Sequence, residues 1–138
     1  MEQMTEMQAL TMFGTYSIAF ALRSIGSLLM IWLALRIASN IRMSEEDNMP
    51  GKVLGTAFGG LTVMFAYYWQ TAYWGLRANV ANGLNDLSSS GTELSAGSQQ
   101  FVANFASADP VTGPGAIVIV FDLVVLAMIL GTIWLPKK

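Results

Sequence analysis

Three apolar runs, almost free of charge, constrain this chain more than any other feature. They extend from about Leu10 to Ala38, from about Val53 to Trp74 and from about Ala116 to Leu135. An α-helix rises 1.5 Å per residue, so about 20 apolar residues match the ~30 Å hydrocarbon core of a bilayer. Val and Ile dominate the start of the third run, as they would a buried strand, but its length favours a spanning helix. The first run exceeds the core thickness, so it must tilt or project from the membrane. Of the 138 residues, 54% are hydrophobic and 12% charged, whereas soluble domains carry about 25% charged residues. The expected fold class is therefore an all-α integral membrane protein with three transmembrane helices, residues 1–138 forming a single membrane domain.

Between the runs lie two polar segments. Ser39 to Lys52 contains Arg42, Glu45, Glu46, Asp47 and Pro50, and Asn48 to Gly51 reads as a turn that restarts the chain. The longer segment, Gly75 to Gly115, is expected outside the membrane. Ser90 and Glu93 have capping-box spacing. After them Leu94, Phe101, Val102 and Phe105 recur at helical spacing. This pattern predicts a short amphipathic helix over about Thr92 to Ala106, with that apolar face resting on the membrane or on a partner. Asp109-Pro110 and Gly113-Pro114-Gly115 end it.

Orientation follows from the cations. Arg36, Arg42, Lys52, Lys137 and Lys138 flank one side of the bilayer, and Arg77 alone flanks the other. The positive-inside rule places the first loop and the C-terminus in the cytoplasm, and the N-terminus and the 75–115 segment outside. A bacterial inner membrane is the expected location. Met1 to Gln8 carries Glu2 and Glu6 but no Lys or Arg, unlike the positive start of a cleavable signal.

Arg36 lies near the end of the first run, and two charged residues fall deep within the runs, Arg23 and Asp122. Such residues are costly in hydrocarbon and normally face a bundle interior with a partner. They are expected to pair across helices as an intramembrane staple, with an ion or proton site as the functional alternative. Gly55 and Gly59 have the Gly-x3-Gly spacing that lets two backbones approach. With Gly26 and Ser27 they form candidate helix-packing surfaces, open either to this chain's own helices or to a neighbouring subunit. Tyr67, Tyr68, Trp69, Tyr73 and Trp74 form a dense aromatic group, expected as an interfacial anchor.

Histidine and cysteine are both absent. That excludes imidazole and thiolate ligation, disulfides, a Cys nucleophile and a Ser-His-Asp triad built from this chain. The net charge of −2 offers no basic face to nucleic acid. Met1, Met4, Met7 and Met12 form a Met-rich outer tail, and thioethers are soft Cu(I) ligands. In plan, three spans and such a tail resemble the Ctr-type copper transporters, a resemblance that would imply copper passage. The chain departs from that family where it has only Met64 in the second span and only Gly131 in the third. The nine methionines are accordingly read as apolar filling.

No catalytic, cofactor or metal site is expected, although a structural lipid fits the class. The expected function is a small, non-catalytic structural or accessory subunit of a larger membrane protein complex, with other integral membrane subunits as partners. Respiratory, oxygenase and secretion assemblies are candidate hosts. The alternatives are a membrane protein of a lipid-containing virus particle, and a homo-oligomeric channel or carrier using Arg23 and Asp122.

Overall fold

The computed structural model describes residues 5–44, 48–106 and 114–136. Among these residues there are four helices and no strand: α1 (Glu6–Met43), α2 (Met49–Ser89), α3 (Ala96–Phe105) and α4 (Ala116–Trp134). Met1, Met4, the acidic group Glu45 to Asp47, the Asp109 to Gly113 break and Lys137-Lys138 lie outside the described residues.

α1 and α4 are long and apolar enough to cross a membrane, with mean hydropathy reaching 2.0 and 2.8. The 19 residues of α4 extend about 28 Å, close to one hydrocarbon thickness. α2 does not reach the same mark, so the expected count of three is met by composition in two helices. The reason is visible in its first half. Gly55, Gly59, Gly60, Thr56 and Thr62 interrupt the apolar residues, and Tyr67 to Trp74 replaces aliphatic side chains with amphipathic rings.

The first loop is shorter than expected because helix continues from both sides. Asn48 caps α2, its side-chain oxygen accepting from the Gly51 N–H at 3.0 Å. This bond occupies one of the free amides at the helix start. The helix does not stop at Trp74, where the second apolar run ends. α2 runs about four turns further, to Ser89. Ala78, Ala81, Leu84 and Leu87 repeat every third residue and are all buried, giving this polar half one apolar edge.

Gly91 stops α2 with a left-handed φ of 95°. The Thr92 N–H reaches the Leu87 carbonyl at 3.2 Å and the Gly91 N–H reaches the Ser88 carbonyl at 3.0 Å. These are the two closing bonds of a Schellman stop, which favours glycine at that position. Ser90 is thus the last cap of α2 and not the start of the next helix, and its hydroxyl donates to the Leu87 carbonyl at 2.7 Å. The Ser90–Glu93 capping box does not form. Ser95 caps α3 instead, accepting from the Ser98 N–H at 3.4 Å.

The chain divides into two compact units, to both of which α1 and α2 contribute. The polar unit joins Met1–Ala21 with Gln70–Gly113. Its core is Ala9, Leu84, Leu87 and Leu94, with Val80, Phe101 and Val102 packed on it. The apolar unit joins Leu22–Trp69 with Pro114–Lys138. Its core is Ile31, Ala34, Ala38, Val63, Val125, Ile129 and Ile133, bordered by Leu35, Ile41, Phe58 and Leu126.

Two glycines set the geometry of the apolar unit. A β-carbon on Gly59 would lie 2.6 Å from Ile129 Cγ2, and one on Gly55 would lie 2.5 Å from Ile41 Cδ1 and 3.3 Å from Ile133 Cδ1. Isoleucines of α1 and α4 therefore fill notches that exist only because α2 has no side chain there. Gly59→Ala is expected to lower stability in detergent by about 1–3 kcal/mol through overpacking. Ile129→Ala in the same chain should restore part of it in a denaturant titration. Equal stability of Gly59→Ala and the parent would show that the notch is not tight.

Candidate functional site

The paired notches also give the helix directions in the apolar unit. Gly55 meets Ile133, and Gly59 meets Ile129. Advancing four residues on α2 retreats four on α4, so these helices are antiparallel. Gly55 also meets Ile41, whereas the Arg23 guanidinium lies 3.9 Å from the centre of the Trp69 ring. Hence α1 is antiparallel to α2 as well, and α1 and α4 point the same way.

Asp122 is 5% exposed and shares the inward edge of α4 with Val125, Ile129 and Ile133. Seven residues make about two helical turns. Asp122 is seven before Ile129, and Ala66 is seven after Gly59, so the notch register brings Asp122 level with the buried Ala66. Trp69, carrying Arg23 on its face, lies one turn beyond Ala66. The two charged residues deep within the apolar runs thus stand within about a turn of one depth. Thr62 is 1% exposed, and its hydroxyl makes no hydrogen bond among the described residues. Sequence reading did not single out this buried polar atom.

At the other end of this unit the Trp134 indole N–H donates to Thr56 Oγ1 at 2.9 Å, and the Lys52 ammonium sits 5.7 Å from the Trp134 ring centre. The last turn of α4 is fastened there to the first turns of α2. Gly26 and Ser27 are half-buried, and nothing lies within 4 Å of a β-carbon placed on Gly26. Of the four small residues expected at packing surfaces, Gly55 and Gly59 are occupied by this chain's own isoleucines, and the Gly26 position is open.

The expected aromatic anchor divides at its middle. Tyr67 and Tyr68 are exposed, and Tyr68 stands edge-on to Trp69 at 5.2 Å. Tyr73 and Trp74 belong to the polar unit. There Phe20 stacks 5.3 Å from Tyr73. Arg77, one turn further along α2, donates to the Tyr73 hydroxyl at 3.2 Å.

The apolar face of α3 has a different destination from the one expected. Leu94 is buried beside Ala9, Leu84 and Leu87, with Phe101 and Val102 against the same cluster. Phe13 meets Phe101 edge-on at 5.2 Å, and Phe105 lies 4.9 Å from Phe101. The face assigned to a membrane or partner is taken up by α1 and α2 of the same chain. The reason is that both helices supply complementary apolar edges, which the composition of 75–90 concealed.

A polar clamp completes this packing. Glu6, in the first turn of α1, accepts from the Ser95 hydroxyl at 2.5 Å, the Ser98 hydroxyl at 2.6 Å and the Ser95 N–H at 3.2 Å. The Ser95 hydroxyl, followed by that of Ser98, holds the Glu6 carboxyl below its usual value of 4.5. Hydrogen bonds to the carboxylate favour its charged form. No sequence motif announced this contact. Ser95 and Ser98 sit three apart at a helix start, but their partner lies 89 and 92 residues away.

No group of three or more Asp or Glu residues suited to a metal occurs among the described residues. Comparison with family models, with curated proteins and with solved structures yields no match.

Because the folded state binds the Glu6 proton more weakly than the unfolded one, the clamp contributes fully above about pH 4.5. That contribution is lost as pH falls through the lower folded value. Amide exchange of residues 96–105, corrected for intrinsic rates, is expected to show protection that Glu6→Gln reduces at neutral pH. The difference between the two proteins should vanish on acidification. Equal protection of the two proteins at neutral pH would assign it to the apolar cluster alone, and a difference that persists at about pH 3 would show that the effect does not depend on the carboxylate charge.

Proposed function

We propose that the chain is a three-span membrane protein acting as a small, non-catalytic structural subunit of a larger membrane assembly. The observation that carries the membrane part is the outer surface of the apolar unit. Ile25, Leu28, Leu29 and Trp32 on α1, Leu54, Leu61 and Met64 on α2, and Leu123, Val124 and Met128 on α4 are all exposed. Water would not tolerate so continuous an apolar belt, whereas lipid suits it. The parallel course of α1 and α4 supports a third crossing. If both cross in one direction, the chain must return between them, and α2 runs antiparallel to each. The cation distribution favours a cytoplasmic C-terminus and an external N-terminus, as in a bacterial inner membrane.

The subunit role is supported by what remains on the surface. A β-carbon on Gly26 of α1 or Gly60 of α2 would have nothing within 4 Å. Exposed backbone of this kind lets a helix of another protein approach closely. The lack of imidazole and thiol leaves little chemistry for the chain to perform by itself. The Arg23–Asp122 ion pair belongs to the same reading. The shared depth of the two residues and the burial of Asp122 support it, as a staple joining α1 to α4.

Purification from the native membrane in mild detergent is expected to recover several different proteins at fixed ratio. A single species, monomeric or homo-oligomeric, would overturn the subunit role and favour a channel or carrier. Asp122 is buried while Arg23 is exposed, so replacing Arg23 would strand a buried carboxylate, at a cost of up to about 3–5 kcal/mol. Asp122→Asn and Arg23→Gln should each destabilise the protein, and the double variant should be no worse than the worse single one. Additive losses would refute the pair.

A further inference from the structure

Arg77 is held in a way that packing alone does not require. Its guanidinium lies 4.5 Å from the ring centre of Tyr73, 5.3 Å from that of Trp74 and 5.3 Å from that of Phe105. All three distances are within cation–π range. One terminal nitrogen donates to the Tyr73 hydroxyl. Among the described residues these are its only partners, and no carboxylate is one of them. A guanidinium has five N–H donors in a planar fork, so most of its donors have no partner among the described residues. The rings fix the side chain and restrict its rotation. They leave the polar edge as the part that can still bind.

The position of Arg77 along α2 suggests what it binds. It follows Trp74 by three residues, where the apolar stretch of α2 gives way to Asn79, Asn82 and Asn85. Trp and Tyr collect at the headgroup level of a bilayer, and a planar fork pairs with phosphate oxygens two at a time. We propose that Arg77, shelved on Tyr73, Trp74 and Phe105, is a binding site for the phosphate of an anionic lipid headgroup. The site rests on the membrane reading above. It also gives α3 a role in lipid binding, because Phe105 is the last residue of α3 and reaches Arg77 only when α3 is docked.

The test uses the full chain in nanodiscs of phosphatidylcholine alone or mixed with phosphatidylglycerol. Native mass spectrometry reads lipid retention and thermal unfolding reads stability. The parent protein is expected to retain phosphatidylglycerol about fivefold better than Arg77→Gln, the scale of one basic residue at an anionic surface. Its melting temperature should rise with phosphatidylglycerol, and Arg77→Gln should lose most of that rise. A purely structural Arg77 would lower the melting temperature equally in both lipids, and this result would overturn the proposal. Glycerol phosphate added to the phosphatidylcholine discs separates the two sources of phosphate. Stabilisation by it, with no response to phosphatidylglycerol, would overturn the lipid assignment in favour of a soluble phosphate ester. A chain that stays monodisperse without detergent and does not enter nanodiscs would instead overturn the membrane reading itself.

Discussion

The close approach of α2 to α1 and α4 is the constraint on which the apolar unit depends. Helices in lipid gain little from burying apolar surface against one another, since the tails around them are equally apolar. What holds them is dense contact, and dense contact needs one backbone to give way. Gly55 and Gly59 supply that on α2. Ile41, Ile129 and Ile133 fill the space, and Ala34, Ala38 and Ala66 keep the remaining seam narrow. The register of the notches then decides which residues share a level, including the buried Asp122. It also makes α1 and α4 parallel to one another.

The polar unit is organised differently. Its apolar cluster is small, four buried residues with three more against it, and its boundaries are set by polar contacts. The Schellman stop at Gly91 turns the chain after α2. The Glu6 carboxylate then takes up the N-terminal hydroxyls of α3 and closes the unit across most of the sequence. The same docking brings Phe105 to Arg77, so the Glu6 clamp and the aromatic shelf of Arg77 depend on one short helix.

Much of this was legible locally. The third apolar run, Ala116 to Leu135, coincides with α4 almost to the residue, because a continuous aliphatic stretch bounded by Gly115 and Pro136 leaves few alternatives. The restart of the chain at Asn48 and the small residues Gly55 and Gly59 were also visible, although Met49 to Gly51 form the first turn of α2 and not a separate turn. The second half of α2 was not. Asn79, Asn82, Gly83 and Asn85 have low helix propensity, and their outward positions masked the three-residue repeat of Ala78, Ala81, Leu84 and Leu87. Ser90-x-x-Glu93 misled for a related reason. A capping pattern describes what a serine can do at a helix start, and Gly91 at that point was ending a helix.

The sequence by itself determined where apolar surface is concentrated and which side-chain chemistries are present. Long uncharged runs require lipid or a buried environment whatever their neighbours, and the absence of imidazole and thiol follows from composition alone. It also showed which residues were small, aromatic or charged, and at what spacing. Tertiary structure decided which partner each of them met. The isoleucines facing Gly55 and Gly59, the internal docking of Leu94 and Phe101, and the bond from Glu6 to Ser95 join residues far apart in the chain. Periodicity records that a face is apolar or small. It carries no information about which of several compatible faces fills it, because that choice depends on how the helices fit together in space.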